Sequence, residues 1–109
     1  MGSEMCIRDR FGAEVLESNA TKQCLENADV VYVCRVQKER FNDSIEAEVI
    51  QRKFELRLDD VSKETVILHP LPRTKELNYA FDELEGAKYF EQVRNGVPVR
   101  MAVLKTLVK

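Results

Sequence analysis

The chain has 109 residues, 44% hydrophobic and 33% charged, a balance that suits one small globular unit or a piece of a larger one and argues against a disordered chain. Its net charge of −2, with both signs interspersed, leaves no basic field for a nucleic-acid backbone, and no apolar run reaches the roughly 18 residues that a membrane span needs. No charged-then-apolar signal segment opens the chain, and Cys6, Cys24 and Cys34 show neither metal-ligand spacing nor disulfide-scaffold density, which points to a reducing cytosol and no metal site.

Residues 1–10 stand apart. "SEMCIRDR" back-translates to a run resembling the transposase adapter of sequencing libraries, so the stretch is expected to be a read-through artefact, with native sequence starting near Phe11. A genuine N-terminal tail is the alternative. "AEVLES" (13–18) then reads as a short strand centred on Val15 and Leu16. "NATKQCLENA" (19–28) follows as a helix, with Asn19 as its cap and Cys24, Leu25 and Ala28 on one side. In "DVVYVCRV" (29–36) the continuous run from Val30 to Val33 fits a strand buried on both faces of a parallel sheet. These three segments make a β-α-β unit.

Residues 37–53 are polar and charged, beginning as a loop and becoming helical from Ser44. "FELRL" (54–58) alternates like a strand, whereas "LDDVSKE" behind it reads as a helical turn. "TVILHPL" (65–71) is the third apolar run, and residues 72–86 are connecting structure. In residues 87–109, Phe90, Val93, Val97, Met101, Leu104 and Val108 recur at three- and four-residue steps, the mark of an amphipathic helix. Gly96 and Pro98 are expected to interrupt it, with a kink near Arg94, because proline lacks the donor for that carbonyl. The fold class is therefore α/β, a partial doubly wound, Rossmann-like parallel sheet over 11–86 followed by a C-terminal helix.

Two strand exits carry the candidate chemistry. In His69-Pro70-Leu71-Pro72-Arg73 the prolines stop the sheet ladder and push His69 and Leu71 towards extended backbone. Rigid carbonyls without strand partners, at the C-terminal end of a parallel strand, suit an N–H-bearing ligand. The plain alternative is a strand-to-loop exit with a satisfied histidine. At the other exit Arg35 offers a planar fork for a carboxylate, Gln37 points to the same side if the chain stays extended, and Glu39 is placed to hold Arg35. There the alternative is a solvated charge cluster.

"DVVYVCRVQKERF", "VILHPLPR" and "YFEQVRNGVPVRMAVL", in that order, resemble the C-terminal part of the catalytic chain of the aspartate carbamoyltransferase family, from about Phe11 to Lys109. The related ornithine carbamoyltransferases typically carry Cys in place of Pro70 and a Ser-Met-Gly loop in place of Arg-x-Gln, so aspartate is the expected acceptor. The resemblance implies carbamoyl transfer from carbamoyl phosphate to L-aspartate, the committed step of pyrimidine synthesis, with a homotrimeric parent and no cofactor. It implies that Arg35 and Gln37 grip aspartate and that Pro70, Leu71 and Pro72 receive carbamoyl phosphate. Glu39, His69, Arg73 and Glu76 support them, His69 as part of the turn and not as an acid or base.

The family's Ser-Thr-Arg phosphate loop and His-Pro-Thr-Gln segment do not occur in these residues, so the chain alone is expected to be inactive and its last helix to pack on a missing domain. Where the family often has Val-Asp-Glu, this chain has Thr74-Lys75-Glu76. Glu76 is expected to join Arg35 and Glu39 in one charge network, and Lys75 to form a reversed ion pair with the acidic segment that follows "QKER", which carries Asp43, Glu46 and Glu48. A carbamoyltransferase for another acceptor, or a non-catalytic fragment, are the competing readings.

Overall fold

Two short parallel strands carry the fold of this computed structural model, which describes residues 11–18 and 21–108. The expected adapter stretch at 1–10 and the Asn19 cap lie outside the described residues. The first helix, α1, spans Thr21–Glu26. Strand β1 is Val30–Tyr32, helix α2 is Ser44–Lys53, strand β2 is Val66–Leu68 and helix α3 is Tyr89–Leu107. One-turn 3₁₀ segments lie at Lys38–Arg40 and Leu58–Asp60, with a longer one at Tyr79–Glu83.

β1 and β2 pair in register, Val30 opposite Val66, Val31 opposite Ile67 and Tyr32 opposite Leu68. The ladder runs one residue further at each end, through Val66 N–H to the Asp29 carbonyl and Val33 N–H to the Leu68 carbonyl, both at 2.9 Å. On its other edge Ile67 donates to the Gly86 carbonyl at 2.8 Å and accepts from Lys88 N–H at 3.0 Å. Ile67 is thus paired on both sides and has no exposed surface. A Cβ on Gly86 would sit 2.0 Å from the Thr65 carbonyl oxygen, so this backbone approach requires glycine.

The core gathers around β2. Val33, Leu56, Ile67, Leu77, Phe81 and Tyr89 form one buried cluster, with Leu25, Val31, Leu71, Leu84 and Ala87 packed on it. Each fully buried large side chain there contributes roughly 1.5–3 kcal/mol. Leu56 also makes a single bridge to Leu77, so the alternation read over 54–58 yields one paired residue followed by a 3₁₀ turn.

α2 begins at Ser44 as the sequence indicates, because Asp43 caps it: its Oδ1 accepts from Ile45 N–H at 2.9 Å. Arg52 and Lys53 in the last turn suit the negative end of the helix dipole. α3 continues through Gly96 and Pro98, so these residues do not end the helix. A proline costs a helix one hydrogen bond and a local clash, and the bonds on both sides of Pro98 outlast that loss.

Three further expectations are corrected. Residues 13–18 form no strand, since among the described residues no strand lies beside them to complete a ladder, so the parallel pair is β1 and β2 with α2 in the crossover. β1 is not buried on both faces: Val30 and Tyr32 are exposed, because no described element covers their side. Leu71 is not extended but left-handed, with φ at 52°, and its bond to Pro72 is cis. Its N–H is turned back onto the His69 ring, a tie that the preference of pre-proline residues does not anticipate.

Candidate functional site

The parallel pairing of Tyr32 with Leu68 brings the two candidate exits side by side at the C-terminal ends of β1 and β2. From β2 the chain enters His69, whose side chain is fully buried and whose ring nitrogens are both engaged. Nδ1 accepts the Leu71 N–H at 2.8 Å, and Nε2 lies 2.8 Å from Glu76 Oε1. An acceptor at Nδ1 needs its lone pair there, so the ring is neutral with its hydrogen on Nε2, donated to Glu76.

Glu76 is equally buried. It accepts from His69, from Thr74 N–H at 3.0 Å and from the Thr74 hydroxyl. Burial alone would raise its carboxyl, but the Thr74 and His69 donors outweigh burial and hold it below the ordinary carboxylate range. Two other elements anchor this knot. Gln51 of α2 donates to Thr74 Oγ1 at 3.4 Å, and Gln92 of α3 accepts the His69 backbone N–H at 3.0 Å. Gln92 also donates to the Tyr32 hydroxyl at 3.3 Å, which ties α3 to both strand ends.

Against this rigid support the carbonyls of Pro70, Leu71 and Pro72 accept no hydrogen bond among the described residues. Pro70 and Pro72 are exposed, and Leu71 is half-buried against the core. The three carbonyls are thus left without partners among the described residues.

Across the gap, Arg35 and Glu39 form the expected pair, Nη2 to Oε1 at 3.0 Å, with side chains 48% and 61% exposed. One guanidinium donor is used, and among the described residues the others have no acceptor. The Gln37 carbonyl closes the following turn by accepting from Arg40 N–H, and Gln37 is exposed. Glu76 does not join this network: its oxygens are spent on His69 and Thr74 inside the turn. Nor does Lys75 form an ion pair with Asp43, Glu46 or Glu48 among the described residues, although it borders a concavity with Glu48, Gln51, Arg52 and Glu55.

Arg73 is locked elsewhere. Its guanidinium grips Asp82 through two bonds, Nη2 to Oδ2 at 2.8 Å and Nη1 to Oδ1. Nη1 also reaches the Tyr89 hydroxyl at 3.2 Å, and the group stacks 4.1 Å over the Tyr79 ring. Arg73, followed by the Tyr89 hydroxyl, draws Asp82 down to about 2. Burial, and then the Asp82 charge, push Tyr89 up to about 12. Arg73 itself is held above its usual value by the bond to Asp82. Three of its five donors are thus used on Asp82 and Tyr89, which ties residue 73 to the 3₁₀ segment and to the start of α3.

Gln51, Thr74, Asp82, Tyr89 and Gln92 were not singled out from the sequence. A usable signal existed for two of them: Tyr89 and Gln92 sit three residues apart, on one face at the start of α3, where a polar group facing a strand end must find a partner. Among the described residues no three His, Cys, Asp or Glu side chains gather as a metal site, and no helix is long and apolar enough to cross a membrane.

The family model for the aspartate/ornithine carbamoyltransferase Asp/Orn-binding domain matches residues 4–107. Among similar relatives are aspartate carbamoyltransferase catalytic subunits. That of Methanoculleus marisnigri is 42% identical over 106 residues, covering 94% of this chain and 35% of the relative. That of Methanocaldococcus jannaschii is 46% identical over 85 residues, covering 77% and 28%. Among solved structures, the catalytic subunit of M. jannaschii aspartate transcarbamoylase matches with a TM-score of 0.64 at 48% identity, over 72% of this chain and 27% of that one. Trypanosoma cruzi aspartate transcarbamoylase in complex with aspartate and phosphate matches with a TM-score of 0.69 at 28% identity, over 94% and 31%. The chain thus spans about a third of the length of these relatives.

Proposed function

The chain belongs to the aspartate/ornithine carbamoyltransferase family, and we propose that it supplies the aspartate-binding side of an enzyme that carbamoylates L-aspartate from carbamoyl phosphate. The observation that carries this reading is the pairing of unpaired carbonyls at 70–72 with a fork-bearing arginine, Arg35, at adjacent ends of two parallel strands.

In this reading Arg35 and Gln37 hold a carboxylate of aspartate, with Glu39 keeping the guanidinium in place. The carbonyls of Pro70, Leu71 and Pro72 accept the carbamoyl NH2 and so fix the plane of the group to be attacked. The aspartate amine adds to the carbamoyl carbon, a C–N bond forms, and the C–O bond to phosphate breaks. The amine proton leaves with phosphate. No covalent enzyme intermediate and no cofactor are needed, and the catalytic contribution is alignment and charge stabilisation. Phosphate itself requires basic groups and helix N-termini, and the family's Ser-Thr-Arg loop is not found in these 109 residues. The outer part of α3 would pack on the domain that carries that loop, within a homotrimer.

The test is a graft. Residues 11–109 replace the corresponding part of the M. jannaschii catalytic subunit, and carbamoyl aspartate formation is assayed. The graft is expected to be active. Arg35→Ala should raise the KM for aspartate about a hundredfold, the loss of two charge-assisted hydrogen bonds. The 109-residue chain alone should give no product. A folded but inactive graft, or turnover by the chain alone, would overturn the reading.

A further inference from the structure

Leu71 is the residue on which the carbonyl row depends. Its φ of 52° lies in the left-handed region, which a side-chain-bearing residue adopts only when something holds it there. What holds it there is the bond from its N–H to His69 Nδ1. That bond exists only in one state of the ring. With the hydrogen on Nδ1, or on both nitrogens, two donors would face each other and Leu71 would be released. The Glu76 carboxylate, an acceptor only, selects the required state from the opposite side of the ring.

The carboxylate is in turn fixed by Thr74, Thr74 by Gln51 of α2, and the His69 backbone by Gln92 of α3. No buried side-chain polar atom among the described residues lacks a partner. A ring with both nitrogens occupied and no exposed surface cannot exchange protons with a substrate. Its chemistry is spent on the backbone two residues away.

We propose that His69 is a positioning residue: its Nδ1, kept as an acceptor by Glu76, fixes the Leu71 amide and thereby the direction in which the 70–72 carbonyls meet the carbamoyl NH2. This rests on the carbamoyl-transfer reading above for the identity of the ligand, but not for the state of the ring.

The ring is read first. His69 is the sole histidine, so the 109-residue chain carrying isotope-labelled histidine gives a single imidazole in nitrogen NMR. At neutral pH the hydrogen should sit on Nε2, with Nδ1 unprotonated and coupled to one backbone amide. Glu76→Leu should convert this to an exchanging mixture. A ring protonated on Nδ1, or averaged while the unaltered chain shows a folded amide spectrum, would overturn the proposal.

Kinetics of the grafted enzyme supply the second measurement, which stands even if the chain alone does not hold its fold. His69→Leu removes the acceptor, whereas Asn in His69→Asn places an amide oxygen near the former Nδ1. Both variants lose the Glu76 contact, so both should drop in Tm. Only His69→Leu should raise the KM for carbamoyl phosphate, by about tenfold, with His69→Asn staying within about threefold and the aspartate KM unmoved in both. Equal losses in the two variants, or a loss confined to aspartate, would overturn the role of His69. An unaltered graft that turns over no carbamoyl phosphate would instead overturn the functional reading, leaving the ring state to be judged by NMR.

Discussion

Between His69 and Tyr89 most buried polar side chains find a partner within ten residues; between Val93 and Leu107 the apolar side chains are covered by nothing among the described residues. His69 meets Glu76 seven residues on, Arg73 meets Asp82 nine residues on, and Thr74 meets Glu76 two residues on. In α3, by contrast, Val93, Val97, Met101 and Leu104 remain about half exposed or more. The turn completes itself because hydrogen bonds are directional and short, and a chain that doubles back supplies donor and acceptor together. The helix cannot, because burying an apolar stripe takes another surface of comparable area. One region is a finished device, and the other is an apolar stripe that no described residue covers.

The contrast is broken most severely from the finished side. Phe81 has no exposed surface and stands at the centre of the core. Phe81→Ala should cost about 3–5 kcal/mol and abolish any cooperative denaturation curve of the chain. Gly86→Ala should come next, at about 1–3 kcal/mol, because the new methyl meets the Thr65 carbonyl and the third segment beside Ile67 must move. Retained amide protection at Ile67 in that variant would count against this packing.

A smaller effect is expected from Tyr89→Phe, about 1 kcal/mol near neutral pH through loss of the bonds to Asp82 and Arg73. Its pH signature is sharper. Tyr89 is raised from 10.0 to about 12, so the protonated form is favoured by folding. That stability is present below 10.0 and lost as pH climbs through 12, and the phenylalanine variant should lack this alkaline limb. Asp82, lowered from 3.8 to about 2, works in the other direction: its contribution is present above 3.8 and lost as pH falls towards 2. Urea titrations across both ranges read the two limbs.

The smallest effect sharpens the comparison from the unfinished side. Met101→Gln on the exposed stripe should change the stability of the chain by less than about 0.5 kcal/mol. In the graft, where the proposed partner domain covers this face, the same change should cost several times more. Equal costs in the two settings would mean that the stripe is not an interface.

Much of this was legible in the residues. The start of α2 at Ser44, the two apolar strands, the Arg35–Glu39 pair and the free carbonyls at 70–72 follow from local rules: a cap, a β-branched run, an i,i+4 charge pair and two prolines without N–H groups. What misled were features needing a neighbour. Val15 and Leu16 have strand character, yet a strand exists only with a partner beside it. Glu76 was assigned to the outer charge network because sequence distance does not show which way a turn folds its acids.

The sequence by itself determined the types of β1, β2, α2 and α3, the family and the two exits where ligand chemistry is proposed, since these depend on residue type and short spacing. Only the tertiary structure decided that His69 works through the Leu71 amide, that Arg73 is consumed by Asp82 and two tyrosines, and that Gln51 and Gln92 clamp the turn from two helices. Those are contacts between segments up to several dozen residues apart, and their partners are chosen by how the parallel pair brings its ends together, which no local pattern encodes.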